Sequence, residues 1–347
     1  MNIYITLDYE LYLGRKTGTP ENCLFRPMSA IMDMLDKTGT KLTVFVDGAY
    51  LYRMNEIKVN NPSIQKDLLD VASNLQEISE RGHSVQYHFH PQWLYSTYDA
   101  DKGWIMDMDH YKLSDVPEER LLIAFKEGKD LIEKAIGKEL FAFRAGGYSL
   151  CSYTCYGKLF DSNGIKIDSS VLPGKSSNSR FQVYDYRNTP LKSVYNFRED
   201  VCEESKNSEE GDFAEIPISC IPGKLKLNYW INLFLQKISR KKKSYRLGAA
   251  KRYGDGLSVS SEASKVDEYL NILKTLFEKE IIVASADSLS GSIFDVYTYL
   301  SKQSVNNMVI IGHPKAASEA SINNLERFID EKLHWGDRFL TLDNNLK

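Results

Sequence analysis

NIYITLDYE, residues 2–10, sets the fold. Residues 2–8 form a short run rich in β-branched and aromatic side chains that closes on a carboxylate, the pattern of a buried strand. The chain beyond it alternates strand and helix. PMSAIMDMLDKT (27–38) places Pro27 at a helix start, apolar residues at helical spacing and Gly39 at the exit. TVFVD (43–47) reads as a strand, 62–81 as a helix ending at Gly82, and HSVQYHFH (83–90) as strand-like. Pro117 opens a long helix that stops near Gly137, and FAFRAGG (141–147) is the next strand. A helix at about 152–162 and strands IKIDSSV (165–171) and FAEIPIS (213–219) follow. The alternation closes with a helix at 265–279, IIVASA (281–286), a helix at 288–303, MVIIGHP (308–314) and a helix at 318–332. Some seven strands, most followed by a helix, predict an α/β fold built on a parallel sheet or barrel.

Two segments break this rhythm inside what reads as a single domain over 1–347. Residues 172–212 are rich in Ser, Asn, Arg, Asp and Glu and read as an excursion loop. Residues 223–253 hold ten Lys or Arg and no acid, with Trp230, Leu233, Phe234 and Ile238 able to share one helical face.

Composition bounds the function classes. With 42% hydrophobic and 26% charged residues in 347, the chain is globular rather than disordered or fibrous. The balance of 44 basic against 47 acidic side chains speaks against a globally basic nucleic-acid binder. Cys23, Cys151, Cys155, Cys202 and Cys220 are scattered without paired metal-ligand spacing, the usage of reduced thiols. A carboxylate appears as early as Asp8, and no apolar run approaches the roughly 18 residues of a spanning helix. The expectation is a cytoplasmic protein, attached at most to a membrane surface.

Ligands of parallel βα folds bind at the carboxyl ends of the strands. Here those ends carry Asp8 and Glu10, Asp47, His88 and His90, Arg144 followed by Tyr148, and His313. Side chains two apart on extended backbone point the same way, so Asp8/Glu10 and His88/His90 can each face one point. Two imidazoles and a carboxylate suit Zn²⁺ or another divalent ion and leave a position for water, whose pKa such an ion lowers. The second carboxylate is then free as general base. Arg144 is suited to holding a carboxylate charged and oriented, and Asp47 is either a helix cap or a support for the site. His83, His110 and His334 read as structural.

These residues resemble the polysaccharide deacetylases, carbohydrate esterase family four. Thr6-Leu7-Asp8-Tyr9-Glu10 is similar to the family's Thr-Phe-Asp-Asp motif and Leu42-Thr-Val-Phe-Val46 to its ATFFV strand. Gly82-His83 with His88-Phe-His90-Pro91 resembles the second motif, Arg144-Ala-Gly-Gly-Tyr148 the Arg-Pro-Pro-Tyr motif, and Ile310-Ile-Gly-His313 the Leu-x-x-His motif. Tyr9 stands where the family has a second Asp, and the second imidazole lies at +2 rather than +4. The resemblance is therefore to divergent members, including those found with bacterial surface-polysaccharide biosynthesis enzymes.

The resemblance implies a distorted (β/α)7 barrel and metal-assisted removal of an N- or O-acetyl group from a sugar of a surface polysaccharide or its precursor. It implies Glu10, His88 and His90 as ligands of a divalent ion, Zn²⁺ foremost, with Co²⁺, Ni²⁺ or Mn²⁺ also suited. Asp8 would be the general base, or would exchange roles with Glu10. His313 would be the proton donor, Arg144 the partner of Asp8, and Tyr148, Asp47 and Trp93 would bind substrate. A metal-dependent amidase on a non-sugar substrate and a degenerate carbohydrate-binding barrel are the alternatives. The expected partner is an acetylated sugar or lipid-linked saccharide and not a nucleic acid. The basic stretch 223–253 reads as a solvated surface helix or as a peripheral contact with anionic lipid at the inner membrane face.

Overall fold

The computed structural model describes residues 1–150, 153–179, 181–206, 213–225, 279–287 and 292–346. Its main sheet contains, in chain order, β1 (Asn2–Tyr9), β2 (Thr43–Asp47), β3 (Ser84–Phe89), β4 (Ala142–Ala145), β5 (Ile167–Asp168), β6 (Tyr195–Phe197), β7 (Phe213–Glu215), β8 (Asn307–Gly312) and β9 (Arg338–Leu340). They lie in the order β6-β7-β5-β4-β3-β2-β1-β8, and β9 pairs with the start of β1. Every neighbouring pair is parallel except β6–β7. β1 thus lies between β2 and β8 with a parallel partner on each side, where a run apolar on both faces belongs.

The sheet curls. Ser219 N–H donates to the Val309 carbonyl at 3.1 Å, Ala284 N–H to Ser219 at 2.9 Å and Ala286 N–H to Ile311 at 2.8 Å. These bonds carry the curl from the segment after β7 round to β8. The register aligns Asp47 with His88 and His88 with Arg144 on β2, β3 and β4. One row across three strands therefore holds three of the polar side chains expected at the mouth.

Helices α1 (Arg26–Thr38), α2 (Gly48–Ile57), α3 (Pro62–Glu80), α4 (Glu118–Ile136), α5 (Tyr153–Asn163), α6 (Ser292–Lys302) and α7 (Glu319–His334) accompany the strands. α1 begins with Pro27 in its first turn and leaves through Gly39 at φ 68°, as its sequence predicts. α2 is an addition that the periodicity did not reveal. All of Gly48 to Tyr52 is buried and the polar residues Arg53, Asn55 and Glu56 are confined to the last turns, so too little polar face is left to mark a 3.6-residue period. A Cβ on Gly48 would lie 2.2 Å from Tyr87 Cε2, and one on Gly128 would lie 2.6 Å from the Gly48 carbonyl oxygen. α2 and α4 therefore meet backbone to backbone over the Tyr87 ring, which packs 4.7 Å from Phe125.

The excursion is more ordered than its composition suggests. Ser176–Asn178 pairs with Val183–Asp185 as a hairpin, and β6 adds an antiparallel edge to the sheet. Cys220–Leu225 pairs with Lys279–Val283, while the rest of the basic stretch 223–253 and all but the end of the helix expected at 265–279 lie outside the described residues. Among the described residues no helix is long and apolar enough to cross a membrane. Cys23, Cys202 and Cys220 stand outside disulfides, but Cys155 is disulfide-bonded, against the expectation of reduced cysteines throughout.

Candidate metal centre and acid–base site

Strand alternation builds the centre. Tyr9 points away from the mouth, its hydroxyl donating to Asn74 Oδ1 on α3 at 2.7 Å, so Asp8 and Glu10 on either side of it turn inward together. His88 at the end of β3 and His90 just beyond it bring their rings to 4.7 Å, nearly perpendicular. Glu10 Oε2 lies 2.5 Å from His90 Nε2 and 3.2 Å from His88 Nε2. Ligand atoms of Glu10, His88 and His90 all fall within 4.8 Å of one another, and all three residues are buried.

The chemistry of the donors tests whether they fit a divalent ion. His88 Nδ1 lies 2.6 Å from the carbonyl of Arg144, which can only accept, so Nδ1 carries the proton and Nε2 offers its lone pair. His90 Nδ1 lies 3.3 Å from Gln92 Nε2; exchanging the ends of that amide would bring its otherwise unpartnered Oε1 to Nδ1 and give His90 the same tautomer. Two imidazole lone pairs then converge with a carboxylate oxygen, an arrangement that could hold a cation between them. Without one, burial opposes charge on His88, but Asp8, Glu10 and Asp47 prevail and push its pKa up to about 9. The residues fit the ion, and Glu10 rather than Asp8 completes the three.

Asp8 belongs to a second set. Arg144 Nη1 donates to Asp8 Oδ1 at 2.8 Å and to Thr6 Oγ1 at 3.0 Å, while Nε and Nη2 bind the carbonyl and hydroxyl of Ser169. Its guanidinium lies 4.2 Å from the Phe45 ring centroid and is wholly buried. Burial pushes the Asp8 carboxyl up, but Arg144, His88 and His313 outweigh it and hold the pKa below the ordinary carboxylate value. Across from Asp8, His313 Nε2 stands 3.8 Å from its Oδ2 and 3.7 Å from Glu10 Oε1. His313 Nδ1 is held by Asp287 Oδ2 at 2.7 Å. Burial disfavours the charged imidazole, yet Asp287, Asp8 and Glu10 raise its pKa. A carboxyl biased toward its ionised form and an imidazole biased toward its protonated form thus face one another beside the imidazole pair.

Residues 25–155 match the family model described as polysaccharide deacetylase. Over those residues the chain is similar to the polysaccharide deacetylases. A Mycobacterium smegmatis structure assigned to the polysaccharide deacetylases is 12% identical, with a TM-score of 0.50 over 99% of this chain and 88% of that one, and it shows the same barrel fold. A family 4 carbohydrate esterase from Streptomyces lividans, in complex with acetate, is 10% identical over 97% of this chain and 91% of that one, TM-score 0.40. A carbohydrate esterase family pseudoenzyme from Bacillus anthracis is 9% identical over 99% and 65%, TM-score 0.39. No curated protein sequence matches the chain.

The remaining expected residues divide. Tyr148 sits in the loop after β4 at φ 61°, a left-handed backbone costly for a tyrosine, with its carbonyl taken by the Tyr186 hydroxyl at 2.7 Å. Burial raises its phenol pKa and Asp8 adds to the rise, so the ring lies near the carboxylate. Asp47 is buried behind His90, whose backbone N–H donates to its Oδ1 at 3.1 Å. It supports a ligand strand rather than meeting a substrate. Trp93 is 0% exposed and packs between Tyr50 and Trp104, so the expectation that it binds substrate is corrected: the ring is part of the core.

Four residues around the centre were not anticipated. Asp287 orients His313, and Lys315 Nζ reaches Glu10 Oε1 at 2.7 Å. Asp168 and Glu215, opposite one another on β5 and β7, form a carboxyl pair sealed from solvent. Acids in strand-like runs were visible for both, but no local pattern announces that two strands 47 residues apart will be neighbours. His83 is structural as read, its Nδ1 accepting the Leu42 N–H at 3.2 Å, and His110 stacks on Tyr95 at 3.8 Å.

Proposed function

We propose that the protein is a divalent-metal-dependent deacetylase that removes an N- or O-acetyl group from a sugar of a surface polysaccharide or its precursor. The observation that carries this reading is the meeting of three sets at one mouth: Glu10/His88/His90, Asp8 with Arg144, and His313 with Asp287. A divalent ion held by the first set supplies Lewis acidity and makes bound solvent nucleophilic.

The chain's own groups supply proton transfer and aim. Asp8, kept ionised and oriented by Arg144, takes the proton of the attacking water through the oxygen that Arg144 leaves free. His313, its Nδ1 fixed by Asp287, turns Nε2 toward the reacting bond and gives its proton to the departing nitrogen or oxygen. The acetyl group leaves as acetate, and the sugar recovers its amine or hydroxyl. The backbone N–H of Tyr148, on its turned loop, is the donor we assign to the acetyl oxygen.

A lipid-linked saccharide at the cytoplasmic membrane face is the substrate form this reading favours, with the basic stretch 223–253 as the peripheral anchor. The test is direct. Purified protein should contain or take up one equivalent of a divalent ion, most usefully assayed with Zn²⁺ and Co²⁺, and should release acetate from N-acetylated amino-sugar oligomers or lipid-linked saccharides. Chelation should stop the release and metal should restore it. Acetate release from none of these, with full metal loading, would rule out the sugar reading and point to a non-sugar amide.

A further inference from the structure

The two oxygens of Glu10 have different partners. Oε2 faces both imidazoles, while Oε1 receives Lys315 Nζ at 2.7 Å. Lys315 is itself fixed: Nζ also donates to the Leu11 carbonyl at 2.9 Å, and the Tyr12 hydroxyl donates to the Lys315 carbonyl at 2.8 Å. Its Nζ lies 5.3 Å from the centroid of the Tyr12 ring, and its side chain is only 11% exposed. It belongs to the short turn Pro314–Ala316 that begins directly after His313.

A carboxylate can give a metal one oxygen or two, and the choice decides how many positions remain for water and substrate. We infer that Lys315 is a positioning residue that confines Glu10 to one-oxygen ligation through Oε2, keeping a coordination position open on the ion. The inference rests on the reading of Glu10, His88 and His90 as a metal centre. The same turn carries His313, so the proton donor and the arrangement of the ligand carboxylate are set by one piece of backbone. A lysine suits this task because its ammonium binds a single oxygen as a point charge, where a planar guanidinium would compete for both.

The test uses Co²⁺ as the probe in the full-length protein. In the wild type loaded with one equivalent, isotope-edited infrared difference spectra of labelled glutamate should show the wide carboxylate splitting of one-oxygen ligation. Lys315→Met keeps the apolar stem and removes the ammonium. It should still bind Co²⁺, its visible absorption should weaken as the coordination number rises, and the glutamate splitting should narrow. Two-oxygen ligation already in the wild type, or spectra identical in wild type and variant, would overturn the inference while leaving the metal centre standing. The wild-type infrared measurement can overturn the inference even if the variant does not fold. Failure of the wild type to bind any divalent ion would remove the metal reading itself, and this inference with it.

Discussion

Arg144 Nη1 and Asp8 Oδ1 lie 2.8 Å apart, with their side chains 0% and 4% exposed. Removing one partner of such a pair leaves the other as an uncompensated buried charge. The pair therefore fixes both the charge and the aim of Asp8, and three further hydrogen bonds of Arg144, one to Thr6 and two to Ser169, prevent the guanidinium from moving aside.

Asp8→Asn should keep the hydrogen bond acceptor for Arg144 and leave the metal ligands untouched. We expect full metal content and a kcat lower by ~10²–10⁴, the contribution of a general base. Metal analysis alongside turnover checks this. Loss of metal in the variant would mean that Asp8, not Glu10, is the ligand.

His83 should make the fold acid-labile. Burial, followed by the nearby Lys41, depresses its pKa from 6.5 to about 4, and its Nδ1 must stay unprotonated to accept the Leu42 N–H. A histidine depressed in the folded state contributes stability that is present above the unfolded value of 6.5 and is lost as pH falls toward 4. Thermal melts between those limits should show a decline that His83→Gln flattens. An equal pH slope in the variant would count against the assignment.

Glu215 works in the opposite sense. Burial first, and then Asp168 beside it, raises its carboxyl pKa well above the ordinary 4.5, so the group keeps its proton in the folded chain. Stability from a raised carboxyl is present below the unfolded value and is lost as pH rises through the folded one. Glu215→Gln supplies the same donor to Asp168 without a proton to lose. Its melting temperature should exceed that of the wild type at alkaline pH and approach it under mild acid. A uniform loss of stability at every pH would show that the pair does not share a proton.

Gly128→Ala tests the contact between α2 and α4. The added methyl would lie 2.6 Å from the Gly48 carbonyl oxygen, a backbone atom that cannot swing away. We expect a loss of about 1–3 kcal/mol, the cost of overpacking, seen as a lower denaturant midpoint with metal content unchanged.

Alternation along β1 made Asp8 and Glu10 legible as inward-facing side chains, and the same period made His88 and His90 a pair, because the two-residue repeat of a strand is written in local sequence. The βα order, the Pro27 entry and the Gly39 exit of α1 were local in the same way. α2 escaped because its first turns are buried all round and its polar residues sit only at its end, and Trp93 was misjudged because nothing in its neighbours says which side of the chain meets the core. What only the tertiary structure decided was partnership across distance. Lys315 meets Glu10 from 305 positions away, and Arg144 meets Asp8 from 136. Those contacts exist only once the sheet has curled to bring its strand ends to one mouth, since closure, not sequence spacing, sets which carboxylate faces the imidazoles and which faces the guanidinium.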